Sequence, residues 1–405
     1  MKKVLLVAPV LSRSGYGEMA RFAFRSLISD SSIDLYIHNI NWGKSGWIWT
    51  DDDERKMIDS ILQKTMLYRQ NGGQFDASIQ CTIPNEWAKI TPHDIGYTAG
   101  IETDRVAPIW LQKGNEMDKI VTISKHSADV YKATSYDATD TSTNTPIKGY
   151  KCETPISHVG FPVRNTDTKE IEMNLRHDFN FICVAQMGPR KNIEAVLNSF
   201  IEEFRNEDVG IVFKIHGAND SIMDYYATKR LFDPISKRLK EEGASCSVSL
   251  LHGNLTDSQM NGLYTHPKIK SMVSLTHGEG FGLPLYEAAS HGLPVIATNW
   301  SGHLDFLVNT TGKKRQNMFV PVKYELKPIP KKVEWEGVLH AGSNWAYPDS
   351  NDARKKMRDV FKNYKKWKTK ATKLQKILKA KTEQDYYDEF IKALNIPDST
   401  KVTAL

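Results

Sequence analysis

The sequence predicts an α/β protein built from two Rossmann-like, doubly wound domains. Three observations carry this reading. Short apolar runs alternate along the chain with segments of helical period. The alternation starts twice, each time with an apolar run and a loop. The length, 405 residues, suits two or three domains. Strand–helix alternation implies parallel sheets covered on both faces.

The first series opens with "KKVLLVAPVL", a strand, followed by "EMARFAFRSLIS", where Ala20, Ala23, Phe24 and Leu27 recur at helical spacing. The second opens with "FNFICVAQ" as a strand. In "NIEAVLNSFIEEF", Ile193, Val196, Leu197, Phe200, Ile201 and Phe204 then form one stripe. "VGIVFKIHG", "CSVSLLHG", "IKSMVSLTHG" and "LPVIATN" read as further strands. The boundary is expected in the polar, turn-rich stretch from Gly160 to Asp178, giving domains 1–165 and 166–382. Met357, Val360, Phe361, Tyr364, Trp367, Ala371, Leu374, Ile377 and Leu378 recur at steps of three and four, which predicts a long helical element. A second helix, "EQDYYDEFIKAL", follows; segment 383–405 is expected to cross back onto the first domain.

Composition is that of an ordinary soluble globular protein, 40% hydrophobic and 25% charged. No apolar run is long enough to span a bilayer. "MKKVLLVAPVL" has a short apolar run and no small-residue cleavage pattern, so it reads as a buried strand, not a signal peptide. Cys81, Cys152, Cys183 and Cys246 lack paired spacing. They read as thiols in a reducing compartment, hence a cytoplasmic protein, and not as a zinc site or disulfide frame. Net charge is +6, but thirteen Lys/Arg face one acid, Asp359, between Arg354 and Lys381. That segment carries +12 and the rest of the chain −6. One reading is a solvated lysine face on a helix. The other is a polyanion footprint, for DNA or an anionic membrane surface.

The stretch "THGEGFGLPLYEAASHGLPVIATNWSGHLDF", Thr276 to Phe306, concentrates the chemistry. A strand ends, and Gly278, Gly280 and Gly282 let the backbone approach a ligand. Pro284 suits the first turn of a helix. The amides of Phe281, Gly282 and Leu283 and the helix dipole favour an anion, phosphate above all. Glu279 sits beside that anion site, and Glu287 lies one turn into the helix. Carboxylates accept hydrogen bonds from the hydroxyls of a ribose or hexose. Phosphate flanked by hydroxyl-rich groups is the outline of a nucleotide sugar.

These residues resemble the retaining GT-B glycosyltransferases of the large Glu-x7-Glu family, whose signature E-G-F-G-L-P-x-x-E-A is followed by G-x-P-V-I-A. The chain has "EGFGLPLYEA" and "GLPVIAT". The resemblance implies two domains facing a cleft, a nucleoside-diphosphate sugar as co-substrate, no further cofactor and no metal. It implies that Glu279 contacts the donor sugar, Glu287 the ribose, and the amides from Phe281 to Leu283 the sugar and diphosphate. "VAQMGPRKNIEAVLNSF" resembles the family's diphosphate-binding loop, with Lys191 as the lysine. Where the family has an arginine five positions earlier, this chain has Gln186; Arg190 is the substitute cation. "SRSGYGEMAR" resembles the amino-terminal glycine loop, with Gly15 and Gly17 near donor phosphate and acceptor. No histidine matches the family's in the first domain; Glu102 and Asp104 are the acceptor-side candidates.

The expected reaction is sugar transfer with retention to a hydroxyl acceptor, the leaving diphosphate being stabilised by Lys191, Arg190 and helix amides. "TDDDERK", Thr50 to Lys56, contains an Asp-x-Asp pattern but reads as a helix start. His277, His291 and His303 read as structural. Three acceptor readings stay open. The first is hydroxymethylated pyrimidine in DNA, bound through segment 354–381. The second is a glycan or lipid-linked saccharide at an anionic membrane surface. The third is a catalytically silent nucleotide-sugar or nucleic-acid binding protein.

Overall fold

In the computed structural model the described residues are 1–140, 142–162, 166–310 and 315–397. The expected boundary at 165/166 and the end of the expected 383–405 helix fall on residues 163–165 and 398–405, outside the described residues. The chain divides into two compact units, Met1–Pro162 with Ile329–Ser343 and Thr382–Leu405, and Val163–Pro328 with Asn344–Lys381.

The first unit begins with β1 (Lys2–Ala8), α1 (Gly15–Ser29), β2 (Ile33–Asn39) and α2 (Asp53–Gln70). It continues through β3 (Ala77–Cys81), β4 (His93–Thr98), α3 (Pro108–Asn115), β5 (Lys119–Thr122) and α4 (Lys125–Ala133). A hairpin of β6 (Ser135–Asp140) and β7 (Thr145–Lys151) precedes β8 (Ile156–His158). Six strands form a parallel sheet in the order β2-β1-β3-β4-β5-β8. The apolar run of β1 follows from burial on both faces: Val4, Leu5 and Leu6 are all within the core. Strand order reverses between β1 and β3, so the loop after β1 stands at the topological switch point, where such sheets bind ligands. Ser14 caps α1 by accepting the Gly17 N–H at 3.0 Å. A Cβ on Gly17 would lie 1.9 Å from Ser12 O, so only glycine fits there; Gly15 has open space around it. The Asp-x-Asp pattern starts α2, with Asp52 accepting the Arg55 N–H at 2.8 Å.

The second unit runs through β9 (Asn180–Gln186), α5 (Ile193–Phe204), β10 (Gly210–His216), α6 (Ile222–Glu241), β11 (Ser247–Leu251) and α7 (Asp257–Thr265). Then come β12 (Ile269–Ser274), α8 (Leu283–Ser290), β13 (Val295–Thr298) and α9 (Leu304–Leu307). The short pair β14 (Val308–Asn309) and β15 (Gln316–Asn317) precedes β16 (Val320–Val322). β17 (Tyr324–Pro328) pairs antiparallel with β18 (Asn344–Pro348). The main sheet is parallel, ordered β11-β10-β9-β12-β13-β16, and its order reverses between β9 and β12. The apolar stripe expected on α5 is the buried one: Val196, Leu197, Phe200, Ile201 and Phe204 join the sheet's core.

The lysine-rich segment forms two helices, α10 (Ser350–Lys362) and α11 (Tyr364–Lys379), where the sequence suggested one long element. The break falls at Asn363. Its Nδ2 donates to Asp359 Oδ1 at 2.7 Å, and Trp367 Nε1 donates to Asp359 Oδ2 at 2.8 Å. One carboxylate thus holds both sides of the corner, so the apolar stripe continues while the axis turns. Arg358 pairs with Glu203 at 2.7 Å and Glu207 at 2.6 Å, and its guanidinium lies 4.6 Å from the Phe204 ring centroid, fastening α10 to α5.

In the first unit α12 (Glu383–Leu394) packs on α1. Phe390 is fully buried, with ring centroids 5.2 Å from Phe22 and 4.9 Å from Tyr97. The insert Ile329–Ser343 joins the same unit by steric fit: a Cβ on Gly337, whose φ is +71°, would lie 2.5 Å from Asn85 Nδ2. Replacing Phe390 with Ala removes an aromatic from a closed site and is expected to cost about 3–5 kcal/mol. Urea denaturation should show the loss as a lower midpoint for the first unit's transition.

Candidate active site

The β9–α5 and β12–α8 loops lie side by side at the second unit's switch point. One backbone and one side-chain bond tie them: the His277 N–H donates to Arg190 O at 2.9 Å, and the Asn192 side-chain Nδ2 donates to Leu275 O at 3.0 Å. Lys191 Nζ then lies 2.7 and 2.8 Å from the two carboxylate oxygens of Glu279. The Arg190 guanidinium donates to Glu279 Oε2 at 3.1 Å and to Gly278 O at 2.6 Å. Glu279 is only 7% exposed. Burial alone would raise its pKa; the charges of Lys191 and Arg190 outweigh that and hold it at about 2. Two cations around one buried carboxylate leave a local excess of positive charge at the carboxyl ends of the strands. Such a place can hold a phosphate group.

The helix on the other side of the loop supplies more positive potential. Gly282 is the N-cap of α8 at φ +91°, a conformation that favours glycine. Pro284 has no N–H and the Leu285 N–H donates to Gly282 O at 2.9 Å, so Leu283 carries the first-turn amide that has no intrahelical acceptor. Phe281 is fixed by the rings of Tyr286 and Phe306, with centroids 5.4 and 5.1 Å away. Glu287, one turn along α8, accepts a hydrogen bond from the Tyr264 hydroxyl at 2.8 Å. That contact fixes the carboxylate at the helix surface.

A third loop, Trp300 to His303, cradles the Glu279 backbone, and the sequence reading did not single it out. The Glu279 N–H donates to Ser301 Oγ at 2.8 Å, and the Gly302 N–H donates to Glu279 O at 2.9 Å. Ser301 has φ +82°, and a Cβ on Gly302 would lie 2.0 Å from Gly280 O. The available signal was "SGH", two residues after the β13 strand: a glycine placed for close backbone approach. The three histidines bond backbone carbonyls: His277 Nδ1 to Ala346 O at 2.8 Å, His291 Nδ1 to Glu287 O at 2.8 Å and His303 Nε2 to Thr298 O at 2.7 Å. Burial lowers the pKa of each, which favours neutral rings serving as props.

Gln186 ends β9 with its side chain exposed, and it contributes nothing to the Glu279 ion cluster. Gly15, Gly17, Glu102 and Asp104 belong to the first unit. Between the two glycines Tyr16 is half-buried; its hydroxyl hydrogen-bonds Thr98 Oγ1 at 2.8 Å and accepts the Ala99 N–H at 3.3 Å. Burial raises its pKa, and the charge of Glu102 reaches it. Asp104 instead acts on Tyr136. Among the described residues no group of three or more His, Cys, Asp or Glu is placed to hold a metal ion.

This architecture is the GT-B fold. The Anabaena protein HepE, solved with UDP and glucose, superposes with a TM-score of 0.56 at 12% identity, covering 98% of this chain and 100% of that one. Sucrose-phosphate synthase from Thermosynechococcus elongatus gives 0.61 at 11% identity, covering 97% and 98%. The pneumococcal O-GlcNAc transferase GtfA gives 0.50 at 12%, covering 83% of this chain; the chain spans 60% of that protein. In sequence, residues 166–321 match the family described as glycosyl transferases group 1. Residues 267–386 match family 4 glycosyltransferases in conflict systems. Each match covers less than half of the chain. No curated protein matches the chain in sequence. Among the described residues no helix is long and apolar enough to cross a membrane.

The depressed pKa of Glu279 has a measurable sign. Its folded pKa, about 2, lies below the ordinary 4.5. Its contribution is therefore complete above about pH 4.5 and is lost as pH falls towards 2, in total about 3 kcal/mol. Unfolding free energies from urea denaturation measured between pH 6 and pH 2 should fall further for the wild type than for Glu279→Gln by about that amount.

Proposed function

We propose that the chain is a retaining, metal-independent glycosyltransferase that moves a sugar from a nucleoside-diphosphate sugar to a hydroxyl acceptor. The observation that carries this reading is the Lys191–Glu279–Arg190 cluster at a switch point, beside the amino end of α8. In this reading Lys191 and Arg190 take the donor diphosphate, helped by the amides of Phe281, Gly282 and Leu283. Glu279 accepts hydroxyls of the transferred sugar, and Glu287 those of the ribose. Before the donor arrives, Glu279 offsets part of the charge of the two cations; when the diphosphate binds, its oxygens share them. As the sugar–phosphate bond breaks, charge grows on the leaving diphosphate, and fixed cations and amides stabilise it without reorganising. The same charge is what a divalent metal would otherwise supply. The first unit serves the acceptor, with Glu102 and Asp104 as the acceptor-side residues and Gly15 and Gly17 on the glycine loop. The cytoplasm is the compartment where this protein acts, in keeping with its four free cysteines.

For the acceptor, hydroxymethylated pyrimidine in DNA is the favoured reading. Arg354 and Arg358 are engaged with Glu202, Glu203 and Glu207. Lys355, Lys362, Lys365, Lys366, Lys373, Lys376 and Lys379, by contrast, are exposed along α10 and α11. Exposed lysines in that number suit a phosphate backbone. The glycan or lipid-linked acceptor is the second reading, favoured by the sugar chemistry named for GtfA and sucrose-phosphate synthase. A silent binding role is the third, resting on Gln186 where the family has a cation.

Incubation with labelled nucleotide sugars and hydroxymethylcytosine DNA should transfer label to the DNA, unchanged in EDTA. Lys191→Ala should lower kcat/KM by about 10²–10³. If every active donor leaves that DNA unlabelled, the DNA reading ends. Donor hydrolysis without any acceptor separates an enzyme from a silent binder. Reversing charge at Lys365, Lys366, Lys373 and Lys376 should raise the Kd for DNA and flatten its salt dependence.

A further inference from the structure

One strand away from the ion cluster, β10 ends in a buried lysine and a half-buried histidine that the catalytic reading does not use. Lys214 is 6% exposed. An ammonium has three N–H donors. A single acceptor, Gly253 O at 2.5 Å, meets them among the described residues. Burial lowers the Lys214 pKa to about 8, while the charges of Asp220 and Glu287 act to keep it protonated. His216 follows two residues on, so it projects to the same face of the strand. Its Nδ1 is buried and has no hydrogen-bond partner among the described residues. Burial, with the Lys214 charge adding to it, lowers the His216 pKa and favours a neutral ring. The following loop does not fold over these groups to satisfy them. It is held by Asp224, which accepts the N–H groups of Gly217, Ala218 and Asn219 at 2.7, 2.6 and 3.1 Å. Asp224 also pairs with His252 Nε2 at 2.9 Å.

Buried polar atoms are nearly always satisfied. An ammonium with one acceptor and a ring nitrogen with none, on one face of one strand end and with Lys214 within electrostatic reach of Glu287, point to a ligand. We propose that Lys214 and His216 read the base of the donor nucleotide, Lys214 donating to an oxo group and His216 accepting from the adjacent ring N–H. This rests on the donor-site reading given above. Uracil offers O4 beside N3–H, and guanine offers O6 beside N1–H. Cytosine and adenine reverse the pattern, with an amino donor beside a ring-nitrogen acceptor. An ammonium facing an amino group leaves two donors opposed and unpaired. The pair therefore selects uridine over cytidine and guanosine over adenosine.

Calorimetric titration of the full chain with UDP, CDP, GDP and ADP tests this, because each oxo/amino pair differs mainly at the edge being read. The wild type should prefer UDP to CDP, or GDP to ADP, at least roughly tenfold. Lys214→Met and Lys214→Gln should bring that ratio to within about threefold of unity. Replacing a buried charge with an apolar group of similar volume is often tolerated. If Lys214→Met does not fold, His216→Ala, which removes only the acceptor, should also narrow the ratio. A wild type that binds all four alike overturns the base-reading pair and leaves the donor site standing. Variants that weaken all four equally overturn it too, since Lys214 would then serve the phosphates or the fold. A wild type that binds none of the four removes the donor-site reading, and this inference with it.

Discussion

The second unit is organised around one electrostatic constraint: Glu279 is buried as an anion and needs cations within reach. Its partners come from a loop almost ninety residues away in sequence. Lys191 and Arg190 sit after β9 and Glu279 after β12, and the strand order brings those two ends together. A carboxylate left unpaired at that depth would be expensive, so the contact stabilises the loop pairing. The pairing in turn sets where α8 begins. Gly282 then takes a left-handed conformation, and Ser301 and Gly302 close behind the Glu279 backbone. Each of these features is explicable once the ion cluster is fixed.

Parallel sheets with reversing strand order recur in both units, and each places a glycine-bearing loop at its switch point. The two loops meet different demands. Gly17 is needed because the chain passes within contact distance of Ser12. Gly282 is needed for its backbone conformation, and Gly302 for close approach to Gly280. At Gly17 and Gly302 the space of the missing side chain is taken by the chain's own backbone, which packs the loops tightly. The surrounding histidines are neutral props, which leaves lysine, arginine and amide dipoles as the sources of positive potential.

The basic segment shows how one sequence feature divides its labour. The arginines at its start are used internally, pinning α10 to α5 through Glu203 and Glu207. Asp359, the one acid, makes the corner between α10 and α11. The lysines that remain exposed contribute little to the fold and so are available to a partner. Net charge read from composition does not separate these roles, because it counts a paired arginine and a solvated lysine alike.

The α/β class, the succession of strands and helices and the buried stripe of α5 were legible in the sequence, because they follow from periodicity and from glycine and proline chemistry, which act locally. The glutamates at 279 and 287 were also visible, because the loop and helix that carry them are contiguous. What the tertiary structure alone decided were the meetings: Lys191 and Arg190 with Glu279, Ser301 and Gly302 with the same backbone, Tyr264 with Glu287, and Lys214 with Gly253. Each joins elements whose neighbourhood depends on strand order, and strand order leaves no periodic trace in a sequence. Lys214 is the plainest case. Within "VFKIHG" it reads as a charge interrupting a strand, and only the packed sheet shows that it is buried with hydrogen-bonding capacity to spare.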